Sequence, residues 1–202
     1  MSLTPFEISI CGIEELPPFE RRGVTHLLSV LDPEYPEPAS LELLNPTRRL
    51  LLRFHDSIDA RPGEILVQRD HVRQVLDFGR DLPAAGGHLL VHCHAGISRS
   101  TAFSILLLAQ ALPHVAAEDI VAEIVRVRDR AWPNLRIIEL GDALLERKGE
   151  LVNAVRARHA EYARRVPRFV QLMKDLGRAR EVEGLLPLGQ NSIGRESSGR
   201  EG

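Results

Sequence analysis

A chain of 202 residues, 44% of them apolar, is long enough for one domain with a sizeable buried core. Its 26 basic and 28 acidic residues leave a formal net charge of −2, which carries no polyanion signature and sets nucleic acid aside as a partner. Two cysteines, Cys11 and Cys93, cannot build a disulfide framework, and no run nears the roughly 18 apolar residues of a membrane span.

Residues 1–7 lack the basic and long apolar segments of a signal peptide, so the expected compartment is reducing and cytoplasmic, with no membrane partner. Lysine occurs only at Lys148 and Lys174 while arginine, alanine and leucine abound, the composition of a GC-rich bacterial gene.

Residues 8–13 alternate and are β-branched, so they read as a strand. Residues 19–23 form a short helix with Gly23 as its stop. Residues 24–31 are apolar enough for a central strand. Three prolines make 32–38 a loop, and 50–54 are a third strand. Val72, Val75 and Leu76 recur at helical spacing within 68–81, and Gly86-Gly87 breaks the pattern. Residues 88–92 are a fourth strand, and a buried helix runs from the loop that follows to about Leu112.

Residues 116–130 form a further helix, with acids in its first turn and arginines in its last. Asn134, in the corner Ala131-Trp132-Pro133-Asn134, suits the N-cap of the next helix, which Gly149 is expected to stop. Residues 150–166 and 169–176 complete the helices. Arg156, Arg158, Arg164, Arg165 and Arg168 read as a solvated basic face. The expected fold class is α/β: a mostly parallel sheet of four to five strands in a three-layer architecture, helices on both sides and a helical C-terminal extension. The expected domain division is a catalytic unit over 1–166, a short helical or irregular extension over 167–189 and a disordered tail over 190–202.

The chemistry concentrates between the fourth strand and its helix, in Cys93-His94-Ala95-Gly96-Ile97-Ser98-Arg99-Ser100. A loop of this kind at a helix N-terminus turns backbone N–H groups toward an oxyanion. The same N–H groups, the helix dipole and a nearby guanidinium favour the thiolate, which is the nucleophilic form of Cys93. Gly96 lets the backbone turn inward without a Cβ. Arg99 can grip two phosphoryl oxygens with its planar fork. Ser100 is placed to hydrogen-bond the sulfur, and His92 to order the loop.

His92-Cys93-x-x-Gly96-x-x-Arg99-Ser100 resembles the signature of the cysteine-dependent protein tyrosine phosphatase superfamily. The full string resembles its dual-specificity branch and, with Pro133-Asn134, a group of bacterial tyrosine-phosphatase-like proteins. The resemblance covers roughly residues 8–149. It implies a phosphocysteine intermediate on Cys93. Phosphate would be held by Arg99 and the backbone of His94, Ala95, Gly96, Ile97 and Ser98, with Ser100 assisting the sulfur and His92 and Asn134 in support. It also implies an aspartate general acid on the loop after the preceding strand, where Asp56 is the first choice and Asp59 the alternative.

The expected activity is therefore phosphomonoester hydrolysis of the protein tyrosine phosphatase type, with phosphotyrosine the expected natural group, a phosphorylated protein or small phosphomonoester as partner and no cofactor. A phosphoinositide or inositol-phosphate phosphatase and a non-catalytic phosphate-binding pseudophosphatase are the alternatives. His88, His92, Cys93 and His94 also form a dense run of metal-ligand types, but a metal leaves Gly96 and Arg99 unexplained, so none is expected.

Overall fold

The computed structural model describes residues 4–82 and 86–185. The expected tail at 190–202 lies outside them. Four strands, β1 (Glu7–Cys11), β2 (His26–Leu31), β3 (Arg48–Arg53) and β4 (His88–His92), form one parallel sheet in the order β1-β4-β2-β3. Edge strand β3 begins with the exposed pair Arg48 and Arg49, charges that discourage further pairing. Inner strands β2 and β4 are buried along their whole length, as their apolar runs require.

Among the described residues there are six α-helices: α1 (Arg69–Gly79), α2 (Arg99–Ala111), α3 (Ala117–Val127), α4 (Leu135–Leu144), α5 (Glu150–Arg165) and α6 (Arg168–Asp175). Ile8, Ile10, Leu28, Val30, Leu52, Leu89 and Val91 pack into the larger core with α1 and α2. Helix α2 lies between the sheet and helices α1, α3 and α4. This explains a sequence that is apolar on every side, since each of its residues from Arg99 to Ala109 is buried.

The second layer is different. Cys11, Leu27 and Leu90 are covered by Leu16, Phe19, Leu41 and Leu44, which lie on or beside 3-10 turns at Ile13–Glu15, Pro17–Arg21 and Ala39–Glu42. These connections carry Pro17, Pro18, Pro36, Pro38 and Pro46, which remove the N–H groups a longer helix needs.

Two sequence expectations need correction. Gly149 does not stop α4, which ends at Leu144; with φ of 90° it is the N-cap of α5. Arg158 is not on a solvated face: it is buried, and its guanidinium donates to the carbonyls of Ala131 and Asp129 and pairs with Glu161. It thereby holds the corner that carries Trp132.

Beyond α5 the chain turns back onto the domain. Val170, Met173 and Val182 join Ala163 around Trp132, whose ring stacks on His159 at 4.0 Å and 9°. The apolar pattern fades after Gly177 because the contacts there are made by buried charges, Arg178 and Glu181. Among the described residues no helix is long and apolar enough to cross a membrane.

Candidate active site

Four strand ends meet at one edge of the sheet. Gly12 follows β1, Asp32 follows β2, Phe54 follows β3 and Cys93 follows β4. In an open parallel sheet the carboxyl edge is where ligands bind, at the point where the strand order reverses, beside the strand that returns between two earlier ones. Here that strand is β4.

The 93–99 loop is fixed through its carbonyls. His94 O accepts from Ile13 N at 3.0 Å, and Ile97 O from Trp132 N at 2.9 Å. Ser98 O accepts from Ala102 N at 3.0 Å and Asn134 N at 3.3 Å. Arg128 donates Nε to Gly96 O at 2.9 Å and Nη2 to Ala95 O at 3.0 Å, and its guanidinium is braced by Glu15. In a planar peptide the N–H opposes the carbonyl. Five outward carbonyls therefore turn the following N–H groups inward, around Cys93.

Gly96 makes this possible twice over. Its φ is +66°, and a Cβ there would stand 2.4 Å from the carbonyl carbon of Cys11. The loop presses against the β1 turn at a distance only glycine allows.

Cys93 is buried, with Ser100 Oγ 3.2 Å from its sulfur. His92 Nε2 lies 2.7 Å from Ser29 Oγ on β2. Burial, the largest influence, pushes the imidazole down to about 4, against an opposing contact with the Cys93 backbone, so His92 is neutral. It ties β4 to β2 just before Cys93.

Arg99 is 2% exposed. Its Nη1 donates to Asp32 Oδ1 and to Phe54 O, each at 2.6 Å. Its Nε is buried without a protein partner. Asp32 was not among the sequence candidates. Its signal was its position, the first residue after a central parallel strand. His94 Nε2 accepts from Asp32 N at 3.2 Å, and its ring lies 4.5 Å from that of Tyr35. Burial lowers the His94 pKa, with Arg99 adding to the effect and Asp32 opposing it.

The two candidate acids separate cleanly. Asp56 reaches the loop: Oδ1 accepts from Ser98 Oγ at 2.7 Å and from Asn134 Nδ2 at 2.9 Å. Its Oδ2 pairs with Arg178 Nη1 at 3.2 Å. Burial would raise the Asp56 carboxyl, but Arg178, then Arg99, then the two hydrogen bonds outweigh it and hold the group below its ordinary value. Asp59 is turned away, half exposed and paired with Arg180 at 3.1 Å. Asn134 does two jobs at once: its Oδ1 caps α4 by accepting from Ile137 N at 3.1 Å, while its Nδ2 holds Asp56.

The metal-ligand types do not converge. His88 sits at the far end of β4, 3.0 Å from Arg22 O and 2.9 Å from Ser9 Oγ, while His92 and His94 have the separate partners given above. Cys11 is buried against the β1 turn; burial first, then Glu15 and Cys93 against Arg128, pushes its thiol up to about 12. It is a packing thiol at neutral pH. Sequence reasoning also missed Arg128 and Arg178, whose partners Glu15 and Asp56 lie more than a hundred positions away, and Glu181, which pairs with Arg178.

No family model matches this sequence, and no curated protein matches it. Solved structures do. The chain is similar to human DUSP28, with a TM-score of 0.53 and 17% identity over 70% of this chain and 92% of that one. It is similar to Cydia pomonella PTP-2 phosphatase, with a TM-score of 0.54 and 19% identity over 68% and 84%. A structure described as PTPMT1 in complex with PI(5)P aligns with a TM-score of 0.50 and 13% identity over 70% and 91%. The fold is that of the cysteine-dependent phosphatases of the dual-specificity-like branch.

Proposed function

We propose that this chain, built on a cysteine-dependent phosphatase fold, hydrolyses phosphomonoesters through a phosphocysteine on Cys93, with phosphotyrosine in a protein as its preferred group. The observation that carries this is the orientation of the loop peptides. Five carbonyls are held outward, so inward N–H groups surround a buried thiol that has Ser100 beside it.

In the first step Cys93 Sγ attacks phosphorus and the bond to the ester oxygen breaks. The three equatorial oxygens carry the developing charge, and the inward N–H groups and Arg99 meet it. The buried Arg99 Nε is a donor that a phosphoryl oxygen would satisfy. Asp56 gives its proton to the leaving oxygen. In the second step Asp56 takes a proton from the water that attacks phosphocysteine, and the Ser100 hydroxyl donates to the departing sulfur. Asp56 is held as a carboxylate by Arg178 and Arg99. A phosphate dianion seated on the loop adds negative charge and competes for Arg99, and both effects favour the protonated acid that the first step needs.

The second reading is a phosphoinositide phosphatase. It draws on the fold shared with the PTPMT1 complex. Against it, His94 Nε2 accepts a backbone hydrogen bond and burial lowers its pKa, both of which favour the neutral ring, and Ile97 is apolar, so the loop side chains are poorly suited to additional phosphates.

Cys93→Ser should reduce turnover of an aryl phosphate to background while leaving the melting temperature within a few degrees of wild type. Residual activity near wild type overturns the mechanism. Comparing a phosphotyrosine peptide with phosphoinositide vesicles decides the substrate class, and faster turnover of the vesicles favours the second reading.

A further inference from the structure

The segment after α6 runs along the loop that carries Asp56 and touches it at three successive points. Gly177, with φ of +69°, lies under the Arg61 guanidinium, which a Cβ there would meet at 1.8 Å. Arg178 Nη1 reaches Asp56 Oδ2. Arg180 Nε reaches Asp59 at 3.1 Å, and its Nη2 donates to Ile58 O at 3.3 Å. The loop over 56–61 is strapped down by residues 177–180.

Arg178 is the centre of the strap. It is 4% exposed, and it is aimed by Glu181, itself 2% exposed. Arg178 Nε donates to Glu181 Oε2 at 2.8 Å and Nη2 to Oε1 at 2.7 Å. Each of those oxygens has a second donor: Trp132 Nε1 at 2.7 Å on Oε2 and Leu135 N at 2.9 Å on Oε1. Glu181 cannot rotate without losing several bonds, so the planar guanidinium is fixed as well. The two nitrogens of one edge are used, and Nη1 is left for Asp56. Trp132 also holds the carbonyl of Ile97 through its backbone N–H, so the nucleophile's loop and the carboxylate's anchor share one support.

Charge balance does not require the contact with Asp56. Glu181 alone neutralises Arg178 with a bidentate pair, the geometry in which a buried guanidinium is best satisfied. The additional contact is the one that faces the site. We infer that Arg178 is a positioning residue of the reaction proposed above: delivered by the chain's own C-terminal segment and fixed by Glu181, it sets where the Asp56 carboxyl stands against Ser98. The inference rests on Asp56 being the proton donor.

The test is the dependence of kcat/KM on the leaving group, measured with aryl phosphates from nitrophenol-like to phenol-like. Good leaving groups need little protonation, so loss of a well-placed acid falls selectively on poor ones. Wild type should show a shallow dependence and Asp56→Asn a steep one. Arg178→Lys and Arg178→Ala should lose about tenfold or more on phenyl phosphate relative to nitrophenyl phosphate. The double variant Asp56→Asn with Arg178→Lys should add no further selective loss to Asp56→Asn. Glu181→Gln keeps the shape but frees the guanidinium, and should show the same selectivity to a smaller degree. It serves as the readout if Arg178→Ala does not fold.

An equal loss on all leaving groups in the Arg178 and Glu181 variants overturns the inference and leaves the proposed function standing. A wild type without turnover, or an Asp56→Asn variant with the shallow slope of wild type, overturns the assignment of Asp56 and the inference with it.

Discussion

The 93–99 loop and the loop that carries Asp56 meet at Ser98 and are held by different means. Residues 93–99 are fixed through their backbone: consecutive carbonyls are pinned, three by backbone N–H groups and two by Arg128, and Gly96 presses on Cys11 with no space between them. Residues 54–61 are fixed mainly by side-chain charges borrowed from elsewhere, through Arg178 on Asp56 and Arg180 on Asp59. A backbone-held loop presents fixed dipoles that do not titrate. A charge-held loop can exchange partners when a charged ligand arrives. The first arrangement suits an oxyanion site, and the second suits a carboxyl that must change protonation state within one turnover.

The harshest way to break the contrast is Gly96→Ala. It combines a left-handed backbone with a Cβ forced against Cys11, costs on the order of 3 kcal/mol or more, and should remove activity on every leaving group alike. Thermal melting and phosphate binding by calorimetry read it. Normal phosphate binding by a folded variant would show that the loop is not held by this close approach.

Next in size, Asp56→Asn should lower kcat/KM on a poor leaving group by about 10²–10⁴. Asp59→Asn, which loses an exposed ion pair, should stay within a few-fold of wild type. If Asp59→Asn alone collapses the rate, the assignment of the acid is reversed.

Acid stability sharpens the comparison from the other side. His159, stacked under Trp132, is held down to about 3 by burial first and then by Arg178, with Arg156 and Arg158 adding and the Pro133 carbonyl opposing. His92 is held down to about 4. In both, the folded state binds the proton more weakly than the unfolded chain, whose histidines titrate near 6.5. The stability they contribute is present above that value and is lost as pH falls toward the folded pKa. By pH 5 each should cost on the order of 2 kcal/mol. Melting temperature should drop between pH 7 and pH 5, and His159→Gln should flatten the drop even though it lowers stability at pH 7. An unchanged slope in that variant would show that His159 is not the group responsible.

How much of this was legible in the sequence follows from distance along the chain. Strands β1, β2, β3 and β4 were readable because burial on the sheet demands continuous apolar or alternating runs. Asn134 was readable as a cap because a cap is a local bond, here to Ile137 three residues on. Helix α4's early end was not, because Glu146 and Lys148 take positive φ at 54° and 55° without the glycine that usually marks such a turn. Arg158 looked like one of a basic series, since nothing in its neighbours shows that the corner carbonyls of Asp129 and Ala131 come down upon it.

Taken alone, the sequence located the cysteine, the glycine turn, the arginine and the hydroxyl, because they stand in eight consecutive residues, Cys93 to Ser100, whose types are dictated by local geometry. It also determined that a parallel sheet lies behind that loop. Only the tertiary structure brought Asp56 and not Asp59 to the 93–99 loop, brought Asp32 to Arg99, and set Arg178, aimed by Glu181, against Asp56. Those choices depend on which strand ends share an edge and on where the chain returns after α6. Pairs such as Arg99 with Asp32 and Arg178 with Asp56, tens of positions apart or more, leave no periodicity to read.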